Sequence, residues 1–150
     1  MSVDSMRQAA NEAIIIRLDF APSNVTYQSG TRQRRFGKGT YKTPELKTVE
    51  GHYAACLIPH TPPKPLDGPL CLWIDFVWPW RKSEPKKNTL AGRKYKDTQP
   101  DLENMEKTLI DMMERCRFFH NDAQIASKCT TKRWGDYPGI TIQLMKAEQL

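Results

Sequence analysis

No two cysteines of this chain lie close in sequence: Cys56, Cys71, Cys116 and Cys129 are widely spaced and form no C-x-x-C pair. Nothing in that spacing reads as a disulfide framework, and 150 residues can bury a core without one, so reduced thiols in a single domain are expected. Long hydrophobic runs are missing as well. None approaches the ~20 apolar residues with which a helix crosses a bilayer, so an integral membrane role is not expected. The opening MSVDSMRQAANEA has no apolar signal core, so the expected compartment is the cytoplasm. No internal repeat is visible. Acidic charge is scarce: 17 Asp and Glu stand against 23 Lys and Arg, a formal charge of +6 that favours a polyanionic partner, either nucleic acid or an acidic membrane surface. The apolar fraction of 39% is slightly low and leaves room for long polar loops.

Residues 1–12 are polar and are expected to fray. Ile14, Ile16, Leu18 and Phe20 then alternate with Ile15, Arg17 and Asp19, a two-residue period that predicts a strand ended by Ala21-Pro22-Ser23-Asn24. Residues 28–42 carry three glycines among Arg32, Arg34, Arg35, Lys38 and Lys42 and read as a mobile basic loop. Thr43-Pro44 opens a helix, with Thr as N-cap and Pro at the first helical position, and Leu46, Val49, Tyr53 and Leu57 follow near helical spacing. Five prolines between 59 and 69 enforce an extended connector before LCLWIDFVW, residues 70–78, a central strand. Residues 79–100 read as a second basic connection without regular structure, of a length that is usually functional. Residues 125–133 and 139–145 read as closing strands about the turn WGDYPG.

The richest stretch is PDLENMEKTLIDMMERCRFFHNDAQ, residues 100–124. At 100° per residue, Leu102, Met105, Leu109, Met112, Met113 and Cys116 share one sector, the apolar stripe of a core-facing helix. Asp101, Asn104, Lys107, Thr108 and Asp111 fall on the opposite flank. Two readings fit. In one, Asp101 is an N-cap, Glu103 a first-turn acid paired to Lys107 four residues on, and Asn121-Asp122 an ordinary turn. In the other, the carboxylates gather around a hard divalent cation, because unit negative charges about 4 Å apart repel by roughly 4 kcal/mol at an effective dielectric of about 20.

The order and spacing of PDLEN, Lys107, Asp111 and NDAQ resemble the RusA family of Holliday-junction resolvases, whose pattern is D-L-D-N-L, a lysine, an aspartate one turn later, and D-D-x-Q after the helix. Pro22-Ser23-Asn24 is also similar to the family's N-terminal pattern. Glu103 stands where an aspartate is common, and Asn121 replaces the first aspartate of the D-D pair. The resemblance implies that Asp101, Glu103 and Asp122 ligate Mg²⁺, with Mn²⁺ able to substitute, that Lys107 is catalytic, and that Asn104, Asp111 and Asn121 support the site. It further implies a homodimer acting on four-way branched DNA, and no small organic cofactor. The expected fold is α+β, a small mixed sheet of about four strands with two main helices.

On that reading the basic segments contact phosphates: Arg32, Arg34, Arg35 and Lys38 in the first, and Arg81, Lys82, Lys86, Lys87, Arg93, Lys94 and Lys96 in the second. Phe36, Trp78 and Trp80 are candidates for stacking on unpaired bases, or for core or interface positions. Cys56 with His60 and Cys116 with His120 form two C-x-x-x-H pairs that would make a zinc site if they met, although Cys116 also lies on the apolar stripe. Two rivals keep the fold: a branched-DNA binding protein with an impaired site, and a less specific flap or branched-DNA nuclease.

Overall fold

A computed structural model describes residues 13–147. The expected frayed start at 1–12 lies outside the described residues. Seven strands and three α-helices follow in the order β1 (Ile14–Leu18), β2 (Thr31–Gln33), β3 (Thr40–Lys42), α1 (Pro44–Leu57), β4 (Leu70–Pro79), α2 (Lys86–Ala91), β5 (Arg93–Tyr95), α3 (Leu102–Arg115), β6 (Ile125–Gly135) and β7 (Gly139–Lys146). The main sheet has the order β1-β7-β4-β6-β5, and β2 pairs with β3 as a separate hairpin. The α+β class is therefore as expected, with five strands in the main sheet.

Alternation decides which sheet face is buried. Leu70, Leu72, Ile74, Phe76 and Trp78 of β4 point to the core, as do Ile140, Ile142 and Leu144 of β7 and Ile16 and Leu18 of β1. Register aligns them in rows: Ile142 is opposite both Ile16 and Ile74. Against this face pack Tyr53 and Leu57 of α1 and Met105, Leu109, Met112 and Met113 of α3. Pairing is antiparallel except between β4 and β6. A parallel pair requires a crossover, and here it contains α2, β5 and α3. The acidic helix is thus the crossover helix, packed on the sheet by its apolar stripe.

Thr43 caps α1 as expected, its side chain accepting from the Leu46 N–H. Gly30 lets the preceding loop touch that helix, since a Cβ there would lie 2.6 Å from the Leu46 Cβ. Both basic segments are more ordered than the sequence suggests. The first is a hairpin, turned by Gly37 and Gly39 at positive φ. The second folds around Glu84, whose enclosed carboxylate accepts from Lys94 (2.9 Å), Arg81 (2.8 Å) and Asn88 (2.7 Å). These bonds tie together the chain before α2, α2 itself and β5.

The Lys94 hydrogen bond, followed by those from Arg81 and Asn88, holds the Glu84 carboxyl down to about 2 from an ordinary 4.5. A lowered folded value means that this network stabilises the fold fully above the unfolded value and fades as the pH falls through the folded one. Glu84→Gln should therefore flatten the acid limb of stability. Melting curves from about pH 5 to about pH 2.5 should fall less steeply for the variant than for the parent; parallel curves would contradict the assignment.

Candidate active site

Asp101 is the N-cap of α3 in position but not in bonding. Its backbone is extended (φ −62°, ψ 140°) and its exposed side chain makes no capping hydrogen bond. The chain leading into it is held instead by Lys132 of β6, whose ammonium donates to the carbonyls of Thr98 (2.6 Å) and Pro100 (2.8 Å). Asp101 and Asn104 line a cleft of about 390 Å³ together with Asn24, Gln28 and Gln99. Asn104 donates through Nδ2 to Gln28 Oε1.

A second cleft, of about 380 Å³, is lined by Glu103, Glu106, Lys107, Asp111, Asp122 and Lys128, among others. Residues 103, 107 and 111 stand four apart and so share one flank of the helix. Asp122 reaches that flank by a different route. Phe118 and Phe119 are fully buried after Arg117 turns through φ 68°, and the next residues form a reciprocal cap. The Asn121 side chain accepts from the Ala123 N–H (2.8 Å), and Gln124 Oε1 accepts from the N–H groups of His120 (2.8 Å) and Asn121 (3.0 Å). Gln124 Nε2 donates to the carbonyls of Leu66 (2.8 Å) and Gly68 (3.0 Å). The Asn121 side-chain oxygen is thereby engaged as a cap. Asp122 keeps its carboxylate exposed, while its own N–H donates to Glu114 Oε1 (2.9 Å).

Partial burial pushes the Asp111 carboxyl up, with Asp122 and Glu114 adding to the rise and Lys107 opposing it. Ionised, the four carboxylates of the second cleft against two ammonium groups leave two negative charges, the charge that one divalent cation balances. Hard oxygen donors of this kind suit Mg²⁺, which takes only one or two protein carboxylates and completes its shell with water and phosphate oxygens. Glu103 and Asp122 fit that limited role. A full protein cage does not form: among the described residues, no three of His, Cys, Asp and Glu are placed to hold one ion, and Asp101 opens into the neighbouring cleft.

The expected basic residues divide into two groups. Arg34, Arg35 and Lys38 are exposed on the hairpin beside Phe36, which is 85% exposed with the Arg35 guanidinium 5.6 Å from its ring centre. Arg32, on β2, is also exposed, as are Lys82, Lys86, Lys87 and Arg93. Arg81 and Lys94 are paired to Glu84. Lys96 is only 7% exposed, with its ammonium 4.3 Å from the Trp134 ring centre and 5.3 Å from that of Trp78. Burial lowers its pKa. Lys96 is therefore a packing residue rather than a surface phosphate contact, and Trp78, itself buried, is in the core rather than free to stack. Trp80 donates from Nε1 to Asp136 (2.8 Å).

Thr108 is likewise not on an open flank. It is buried, accepting from the Tyr27 N–H (2.8 Å) and donating to the Asn104 carbonyl (2.9 Å). The two C-x-x-x-H pairs do not come together as a metal cluster among the described residues. His120 instead contacts Asp67 (2.9 Å), and burial raises the Cys116 thiol. Sequence reasoning missed Glu106, Lys128 and Gln28. Glu106 interrupts the apolar flank next to Met105, which is a local signal, whereas Lys128 and Gln28 carry no local mark.

The family model described as Endodeoxyribonuclease RusA matches residues 22–145. No curated protein matches the chain.

The cap at 121–124 yields a stability prediction. Gln124→Ala leaves two carbonyls and two N–H groups without their partner and should cost about 1–3 kcal/mol in urea unfolding, while Asn121→Asp, which keeps the acceptor for Ala123, should stay within about 0.5 kcal/mol of the parent. Equal losses in the two variants would contradict the capping role.

Proposed function

Because this chain belongs to the endodeoxyribonuclease RusA family, we propose that it is a Mg²⁺-dependent enzyme that resolves four-way DNA junctions by symmetric hydrolysis of phosphodiesters, in recombination and repair. The observation that carries the reading is that Glu103, Lys107 and Asp122, from separate parts of the family pattern, line one cleft. In this reading Glu103 and Asp122 hold the cation, Asp101 approaches from the adjoining cleft, and Mn²⁺ substitutes. When bound, the cation supplies polarisation of the scissile phosphate and acidification of a water. Lys107 places a point charge beside the phosphoryl oxygens, where it stabilises charge that grows in the transition state. Asp111, one turn further on, faces Lys107 and steadies it electrostatically. Asn104 fixes the loop at Gln28 that walls the Asp101 side.

The substrate and assembly parts of the reading have their own support. The exposed hairpin with Arg34, Arg35, Lys38 and Phe36 suits phosphates and an unpaired base, and Lys82, Lys86 and Lys87 add a second basic patch at α2. The sheet face away from the helices exposes Ile15 (64%) and Trp73 (60%), apolar surface that a second copy would cover. A two-fold dimer would offer one site to each of two symmetry-related strands. A single domain acting in the cytoplasm completes the proposal; among the described residues no helix is long and apolar enough to cross a membrane.

The absence, among the described residues, of three acids around one point favours one alternative, a branched-DNA binding protein that does not cut. The same assay separates the two. With Mg²⁺ or Mn²⁺ the protein should nick a synthetic four-way junction at symmetric positions, faster than a flap or linear duplex. Asp101→Asn and Asp122→Asn should stop cleavage without loss of junction binding, and Lys107→Ala should slow it by about 10²–10³-fold. Tight binding with no product at any metal concentration would select the alternative, and full activity of Asp122→Asn would sink the ligand assignment.

A further inference from the structure

Glu106 is 6% exposed on a stretch of α3 that otherwise buries Met105, Leu109 and Ile110. A carboxylate is a costly occupant of such a position unless a cation is held against it. That cation is Lys128 of β6, whose Nζ lies 2.6 Å from Glu106 Oε2. The contact is ionic rather than directed, since among the described residues Oε2 receives no hydrogen bond of good geometry.

The pair is lopsided. The carboxylate is almost wholly enclosed, whereas the lysine side chain is about half exposed. An ammonium carries three donors, and one ionic contact leaves capacity for another oxygen. Both residues line the cleft that contains Glu103, Lys107 and Asp122. Holding the long lysine stem against a fixed anchor also reduces the ordering cost of meeting an anion there.

We infer that Lys128 is a second phosphate-contacting residue of this cleft and that Glu106 is the positioning residue that aims it. The inference rests on the nuclease reading for the nature of the ligand, a nucleic-acid phosphate, but on the geometry of this pair for the contact itself. Lys107 and Lys128, from a helix and a strand, then flank the phosphate path from two sides.

The test compares the parent with Lys128→Gln, Glu106→Gln and the double variant, each checked for folding by its melting temperature. Junction and linear-duplex affinities are measured across salt without divalent metal, and single-turnover cleavage with Mg²⁺. Lys128→Gln should reduce the slope of log affinity against log salt by about 1, the signature of one lost phosphate contact, and should slow cleavage at least about tenfold. Glu106→Gln should show a smaller change of the same kind, and the double variant should match Lys128→Gln, because Glu106 acts through the lysine. An unchanged slope in Lys128→Gln overturns the inference, as do losses that multiply in the double variant. A parent that binds DNA without cutting it removes the nuclease reading alone, since the salt slope still decides Lys128; a parent that binds no DNA overturns both.

Discussion

The carboxamide of Gln124 ties two separate stretches of chain together with four hydrogen bonds. It accepts from His120 and Asn121 on the turn it belongs to, and donates to Leu66 and Gly68 on the connector that leads into the central strand. All of its directional capacity at those two atoms is matched to backbone, at net values of about 1 kcal/mol per bond. On this depends the position of Asp122, which emerges from the same turn onto the flank of α3. The buried Phe118-Phe119 pair fixes the turn from the core side, and the Glu114 contact to the Asp122 N–H fixes it from the helix side.

A crossover between parallel strands makes the arrangement economical in topology. α3 leaves the sheet region after β5 and returns as β6, so the helix that carries Glu103 and Lys107 is joined through 116–124 to the strand that carries Lys128 and Lys132. Residues of helix, turn and strand thereby line one cleft. Positive charge is divided by the same logic. Arg81, Lys94, Lys96 and Lys132 are engaged within the fold, at a buried carboxylate, between two tryptophan rings and at backbone carbonyls. The hairpin, α2 and Lys107 keep charge on exposed side chains, and Lys128, about half exposed, is paired to Glu106.

What could be read from the sequence is what local chemistry specifies. The alternation in β1, β4 and β7 marked one buried face, Thr43-Pro44 marked the start of α1, and the apolar stripe of α3 followed from its 3.6-residue period. The family pattern named Glu103, Lys107 and Asp122, which do share a cleft. What escaped depends on partners distant in the chain. Residues 79–100 looked unstructured because α2 and β5 are organised by Glu84, whose enclosure no local pattern reveals. Lys96 looked like a surface cation because its tryptophan neighbours come from β4 and β6. Thr108 and Glu106 looked exposed or unremarkable because the segment at Tyr27 and the lysine at 128 cover them from elsewhere. Asp101, expected to ligate the same cation as Glu103 and Asp122, lines the adjoining cleft.

We propose that Glu103 and Asp122, which line one cleft beside the turn held by Gln124, form one divalent-cation site on the flank of α3. Paramagnetic broadening by Mn²⁺ in the NMR spectrum of the isotopically labelled protein tests it most directly. Near-stoichiometric Mn²⁺ should selectively broaden the amides around residues 103–107 and 121–124 while sparing the hairpin and β1, and Mg²⁺ should reverse the effect. Uniform broadening, or broadening centred elsewhere, would contradict it.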